Sequence, residues 1–181
     1  MNRRVEPFAL AVPVDKTDHI LGPETARVTV VEYCDFECSK CGMAYPAVKI
    51  LLKHFENRVR FVYRHFSQIE EHPHVELAAE AAEAAGAQRK FWPMHDMLFE
   101  HQTHLKLKDL CHYAEQLELD LERFAYELKD QVYRQRVNEH VEGGVRSGVR
   151  GTPTYFVNGA ITDVSFGLEH LVRAIEARLH A

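Results

Sequence analysis

Long apolar runs are absent from this chain of 181 residues. None approaches the roughly 20 residues that span a bilayer as a helix, so no membrane insertion is expected. The apolar stretch nearest the start, Phe8 to Val14, is broken by Pro13 and ended by Asp15. No small-residue cleavage pattern follows the basic pair Arg3-Arg4, and a signal peptide is not expected. A dense basic patch is lacking as well. The net charge is −5 with both signs interspersed, which argues against nucleic acid as a partner. Internal repeats and low-complexity linkers are missing. Cysteine is sparse, at four residues. In the reducing cytoplasm expected of a chain starting at Met1, four cysteines do not read as a structural framework. The periplasm is the alternative, had a leader been removed. What the chain does have is 46% hydrophobic residues, enough for a real core, and twelve histidines, which make its charge sensitive to pH near 6.5.

Arg27 to Tyr33 has the apolar run of a buried strand. Glu37 to Phe55 has helical spacing, with Pro46 inside it as an expected kink. Val59 to Phe66 reads as a second strand, and strand–helix–strand of this length fits a right-handed βαβ unit. From about His72 to Arg146 the pattern turns helical. Expected helices run through Leu77–Ala87, Phe91–Thr103 and Leu107–Leu117, and further ones start near Leu121 and Gln131 and end around Gly143-Gly144 and Gly148. Two short β-like runs then flank Asn158-Gly159, a hairpin signal, before a final amphipathic helix from about Leu168. The expected domains are a lead-in over 1–24, one domain made of 25–70 and 147–181, and an inserted helical subdomain over 71–146.

The chemistry concentrates at Cys38-Ser39-Lys40-Cys41. The pair follows a strand and opens a helix, where unpaired N–H groups and the positive helix end stabilise a thiolate on the first cysteine. Two cysteines three residues apart on one turn can close a disulfide. That context points to thiol–disulfide exchange. Cys34 extends the motif to Cys34-x3-Cys38-x2-Cys41, which leaves two alternatives open. One is a metal or iron–sulfur module completed by a histidine. The other is a non-catalytic redox sensor. Cys34 itself is expected to be dispensable for exchange. Cys111 lies on an apolar helical stripe and reads as core. His95, His101 and His104 read as solvated residues, and His72 and His74 as residues at a helix start.

The order βαβ then ββα is that of the thioredoxin fold, a mixed α/β sheet, and an all-helical insertion at this point resembles the DsbA-like branch. Several spaced features carry the resemblance. Pro46 stands five residues after Cys41, and Glu32 six before Cys38, where the family has a helix-kinking proline and a buried acid. Gly151-Thr152-Pro153-Thr154 looks like the family's cis-proline loop. The string from Val31 to Cys38 and the stretch His72-Pro73-His74 through Phe91-Trp92 and His95-Asp96 are similar to DsbA-like sequences. The resemblance covers about residues 18–181. It implies an enzyme, a thiol–disulfide oxidoreductase working through a mixed disulfide at Cys38 resolved by Cys41. It implies Glu32 as a proton carrier for Cys41, and Thr152 with a cis Pro153 as the edge that meets an extended substrate peptide. The implied partners are protein thiols and disulfides and a redox-recycling partner. No cofactor and no metal are implied.

Overall fold

The computed structural model describes residues 9–165 and 167–181. Residues 1–8 of the expected lead-in lie outside them. The chain folds as two compact units. The first takes the chain up to Cys34, then Met43–Arg64, then Glu142 onwards; the second takes Asp35–Gly42 and His65–Val141.

The strands are β1 (His19–Leu21), β2 (Val28–Cys34), β3 (Val59–His65), β4 (Thr154–Val157) and β5 (Ala160–Thr162). They form one sheet in the order β1-β3-β2-β4-β5. β2 and β3 are central, and their apolar runs are buried almost end to end, as a strand covered on both faces requires. β4 lies antiparallel to β2, with Glu32 opposite Tyr155 and Val31 opposite Phe156. The hairpin to β5 turns at Asn158 and Gly159, both with positive φ, at 48° and 82°. That is the two-residue turn the Asn-Gly pair favours.

The lead-in contributes β1, antiparallel to β3. Arg64 explains why the lead-in stays down. Its guanidinium donates to both oxygens of Asp18, each at 2.8 Å, to the carbonyls of Val12 and Pro13, and to the Tyr33 hydroxyl. The polar residue that interrupts the β3 pattern is thus a buried clamp with its donors satisfied. Helix α7 (Glu169–Leu179) packs on β2 and β4 through its apolar stripe, with Leu171 and Ile175 buried.

Helix α1 (Ser39–His54) follows β2 and carries Pro46. The helices of the insertion are α2 (Val75–Ala87), α3 (Phe91–Glu100), α4 (Leu107–Gln116), α5 (Leu121–Lys129) and α6 (Arg134–Arg146). α2 packs against α3, α4 and α5. Its alanines are small enough for that crowding, and Ala78, Ala79, Ala81, Ala82, Ala84 and Ala85 are all buried. Glu83 is carried inside with them. Arg136 Nε donates to one of its oxygens at 2.6 Å, and His65 Nε2 lies 2.8 Å from the other. Of the two expected end signals, Gly143-Gly144 does not stop α6, which runs through to Arg146, and Gly148 does. A Cβ at Gly143 would lie 3.1 Å from Val12 Cγ2, so that glycine serves close packing rather than helix termination. The stop is Gly148, at φ 81°.

Candidate active site

The residues that shape the Cys38 turn lie within the second unit. The Cys38 carbonyl accepts the first helical bond, from Gly42 N–H at 3.1 Å, which makes Cys38 the N-terminal cap of α1. The turn before it is held by Asp35, a buried carboxylate. Asp35 Oδ1 accepts from the backbone N–H of Glu37 at 2.7 Å and of Cys38 at 3.2 Å. Its Oδ2 accepts from Gln68 N–H at 3.2 Å and faces His72 Nδ1 at 2.8 Å. The Glu37 carboxylate accepts from the His74 N–H at 2.7 Å and meets its Nδ1 at 3.0 Å. Asp35 and Glu37, which flank the turn, are each tied to a histidine.

Gln102 closes the other side. Its Nε2 donates to the carbonyls of Phe36 at 2.8 Å and Cys38 at 3.0 Å. A Cβ at Gly42 would overlap its Oε1, so Gly42 is what lets Gln102 approach. Beneath the turn Phe36 packs on His95 and Phe99, at centroid distances of 5.8 and 5.0 Å. His95 is buried in this aromatic group rather than solvated, and its Nδ1 lies 3.0 Å from Asp96 Oδ1. Its helical neighbours Phe91 and Phe99 carry it into the core.

All three cysteines of the motif are buried, Cys38 at 7% exposure and Cys34 and Cys41 at 1% each. Cys38 is thus the more accessible member of the CxxC. Cys38 and Cys111 are outside disulfides. Cys34 and Cys41 are the disulfide-bonded cysteines. The expected redox disulfide, Cys38 with Cys41, is not the bond present. The Asp35 N–H donates to Cys41 Sγ at 3.5 Å. In this form Cys34 and Cys41 offer no thiolate to a metal.

Two expected site features belong to the first unit. Glu32 is buried on β2, and the Tyr155 hydroxyl donates to its Oε1 at 2.6 Å. Burial pushes its carboxyl up to about 7, opposed only in part by that hydrogen bond. The Thr152–Pro153 peptide bond is cis. Thr152 is buried, and the Thr154 hydroxyl donates to the Gly151 carbonyl at 2.7 Å, closing the loop before β4.

Sequence reasoning missed Asp35 and Gln102. Asp35 had a signal, since an Asp accepting from residues two and three further on is a turn pattern. Gln102, 64 residues from Cys38, had none. His65, Glu83 and His140 place possible metal-ligand atoms within 4.8 Å of one another. Both Glu83 oxygens and one ring nitrogen each of His65 and His140 already have partners, however. Arg136 and His65 engage the two Glu83 oxygens, and His140 Nδ1 accepts from the His65 N–H at 3.3 Å. The cluster is a charge-balanced core.

The family model described as thioredoxin matches residues 14–177. A protein of Salinispora arenicola named Na(+)/H(+) antiporter NhaA 1 is 52% identical over 167 residues, covering 92% of this chain and 26% of that relative. A Na(+)/H(+) antiporter NhaA of Herminiimonas arsenicoxydans is 41% identical over 172 residues, covering 94% of this chain and 27% of the relative. The chain thus spans about a quarter of the length of these curated relatives. Among solved structures, oxidised BdbD from Bacillus subtilis superposes with a TM-score of 0.84 at 23% identity, covering 96% of this chain and 99% of that one. A thioredoxin-like oxidoreductase from Silicibacter pomeroyi gives 0.78 at 26% identity, over 92% and 95%. With its five-stranded sheet and its helical insertion, the chain belongs to the thioredoxin family.

Proposed function

We propose that this chain exchanges disulfides with protein thiols through a mixed disulfide at Cys38, resolved by Cys41. The observation that carries this reading is Cys38 itself, the more accessible cysteine of the pair, capping the N-terminus of α1 with Cys41 one turn further on. The helix end directs unpaired N–H groups and partial positive charge at the sulfur that must act as thiolate. Asp35 and Gln102 hold that sulfur's backbone in place, so the nucleophile is pre-positioned.

In the oxidising direction the cycle starts from a Cys38–Cys41 disulfide: a substrate thiolate attacks Cys38 Sγ, the Cys38–Cys41 bond breaks, and Cys41 leaves as the thiolate. A second substrate thiol then attacks the substrate sulfur of the mixed disulfide and frees Cys38. Each attack follows loss of a proton, and each leaving sulfur takes one up. Glu32, titrating at about 7, is the proposed proton carrier for the resolving thiol. Thr152, held by the cis Pro153, is the proposed backbone edge for an extended substrate. Compartment and recycling partner set the direction of net flow. A cytoplasmic location favours reduction or isomerisation of substrates, a periplasmic one oxidation.

The curated relatives' antiporter names describe chains of which this one spans only about a quarter, and transport is not proposed. Among the described residues no helix is long and apolar enough to cross a membrane.

The test is insulin reduction with the purified chain, together with metal analysis. Cys38→Ser is expected to abolish activity, and Cys41→Ser to trap substrate as a mixed disulfide. Stoichiometric zinc or iron with no insulin reduction would move the assignment to a metal module built on Cys34, Cys38 and Cys41.

A further inference from the structure

We infer that the outer face of α1, from Met43 to His54, docks this protein on the surface of a bilayer that contains anionic phospholipid. The inference is independent of the exchange reading and uses no residue of the Cys38 turn.

The stretch of α1 from Met43 onwards belongs to the first unit. Its inward face is ordinary core, with Val48, Leu51 and, just past the helix end, Phe55 buried. Its outward face breaks the usual pattern. Met43 and Ile50 are each 72% exposed, and Pro46, Ala47 and His54 are exposed beside them. Met43, Ala47, Ile50 and His54 recur at helical spacing, so they form one stripe. A single exposed apolar side chain is normal on a protein surface. Two large ones on the same stripe mark a contact face.

The charge beside the stripe has one sign. Lys49 and Lys53 stand one turn apart along its edge, both exposed. Lys49 Nζ donates to the Tyr45 hydroxyl at 3.0 Å. Arg58 folds back on the helix end. Its Nη2 donates to the His54 carbonyl at 2.8 Å, and its guanidinium lies 5.1 Å from the centre of the Phe55 ring. α1 itself contains no Asp or Glu. Glu56, past the helix end, is the nearest acid in sequence. The first unit as a whole has more Lys and Arg than Asp and Glu, although the chain carries a net charge of −5.

An apolar stripe edged by cations suits the headgroup layer of an anionic bilayer. Met43 and Ile50 reach the acyl boundary there, while the lysine stems lie along it and their ammonium groups meet lipid phosphates. A second copy on the same face would bring Lys49 and Lys53 of both chains together, with no acid on α1 to pair with them. Nucleic acid would satisfy the cations but leave Met43 and Ile50 against a charged backbone. The stripe is short, so docking is weak and reversible, and the helix lies on the bilayer without spanning it.

The experiment is co-sedimentation of the purified chain with vesicles of phosphatidylcholine, alone or mixed with phosphatidylglycerol. The chain should pellet with the mixed vesicles at low salt, stay in solution with phosphatidylcholine alone, and be released by molar salt. Ile50→Glu, and Lys49→Glu combined with Lys53→Glu, should each lower the partition onto mixed vesicles at least about tenfold. Lys108→Glu combined with Lys129→Glu makes the same change in net charge on exposed residues of the second unit. That control should lower the partition by no more than about threefold. Circular dichroism checks that the variants fold, and their insulin reduction should match wild type.

Equal binding to both kinds of vesicle, binding to neither, or an equal loss in the control pair overturns the inference. A dimer seen by sedimentation velocity and dissolved by Ile50→Glu also overturns it, because the face then belongs to a second copy. Loss of insulin reduction in the folded α1 variants does so too, since the face would then serve the exchange site.

Discussion

Asp35 carries more of the site's geometry than either cysteine does. Its two oxygens receive three backbone N–H groups and face one imidazole, and it is almost wholly removed from water. A buried carboxylate in that position is stable only because every lone-pair direction meets a donor. Asp35→Asn keeps the volume but turns an NH2 towards groups that are themselves donors. The expected loss is about 2–3 kcal/mol of stability, measured by urea denaturation. Insulin reduction should fall at least about tenfold, because the Cys38 backbone is no longer fixed. Unchanged activity would show that the turn is held by other contacts.

At the scale of elements, two contacts decide how segments are held. The first is between the start of α1 and the segment after α3. Gly42→Ala improves helix propensity by up to about 1 kcal/mol. It also displaces Gln102, whose two hydrogen bonds to the carbonyls of Phe36 and Cys38 are worth about 1 kcal/mol each. Gly42→Ala should therefore destabilise the protein by about 1 kcal/mol, whereas in a Gln102→Ala background it should be neutral or stabilising. A double-mutant cycle on thermal or urea unfolding measures that coupling.

The second contact holds the lead-in to β3. Asp18 and Arg64 are both almost fully buried, at 4% and 3% side-chain exposure. Their pair keeps the guanidinium charged and satisfied. Removing one partner strands a buried charge, so Asp18→Ala should cost about 3 kcal/mol or more in equilibrium unfolding. Replacing both residues with apolar ones should recover part of that loss.

At the scale of the whole molecule, two buried glutamates set the dependence of stability on pH. Glu32 and Glu80 each titrate at about 7 in the folded protein, against an ordinary 4.5. Desolvation is the main cause for both. For Glu80, the neighbouring Glu76 adds to the rise and Arg134 opposes it. Between pH 4.5 and 7 the native state holds protons that the unfolded chain has released. Their contribution to stability is therefore full at low pH and is lost as pH rises through that window. Glu32→Gln should flatten the stability–pH profile and raise stability at pH 8 by up to about 3 kcal/mol, and Glu80→Gln should act in the same direction by less. Urea unfolding at pH 5, 6, 7 and 8 measures it. A profile for either variant that parallels wild type would show that its carboxyl ionises normally.

Local sequence determined what depends on local physics. Apolar runs placed β2 and β3, Asn158-Gly159 made the hairpin because that pair accepts positive φ, and alanine spacing made α2. The dithiol at the start of α1 was legible because a strand, a turn and a helix cap lie in consecutive residues. Tertiary structure decided what depends on groups far apart in the chain. Gly143 read as a helix end and is instead a packing contact with Val12. His95 read as solvated and is buried among Phe36, Phe91 and Phe99. Gln102 reaches Cys38 from 64 residues away, and no pattern in the intervening chain encodes that approach.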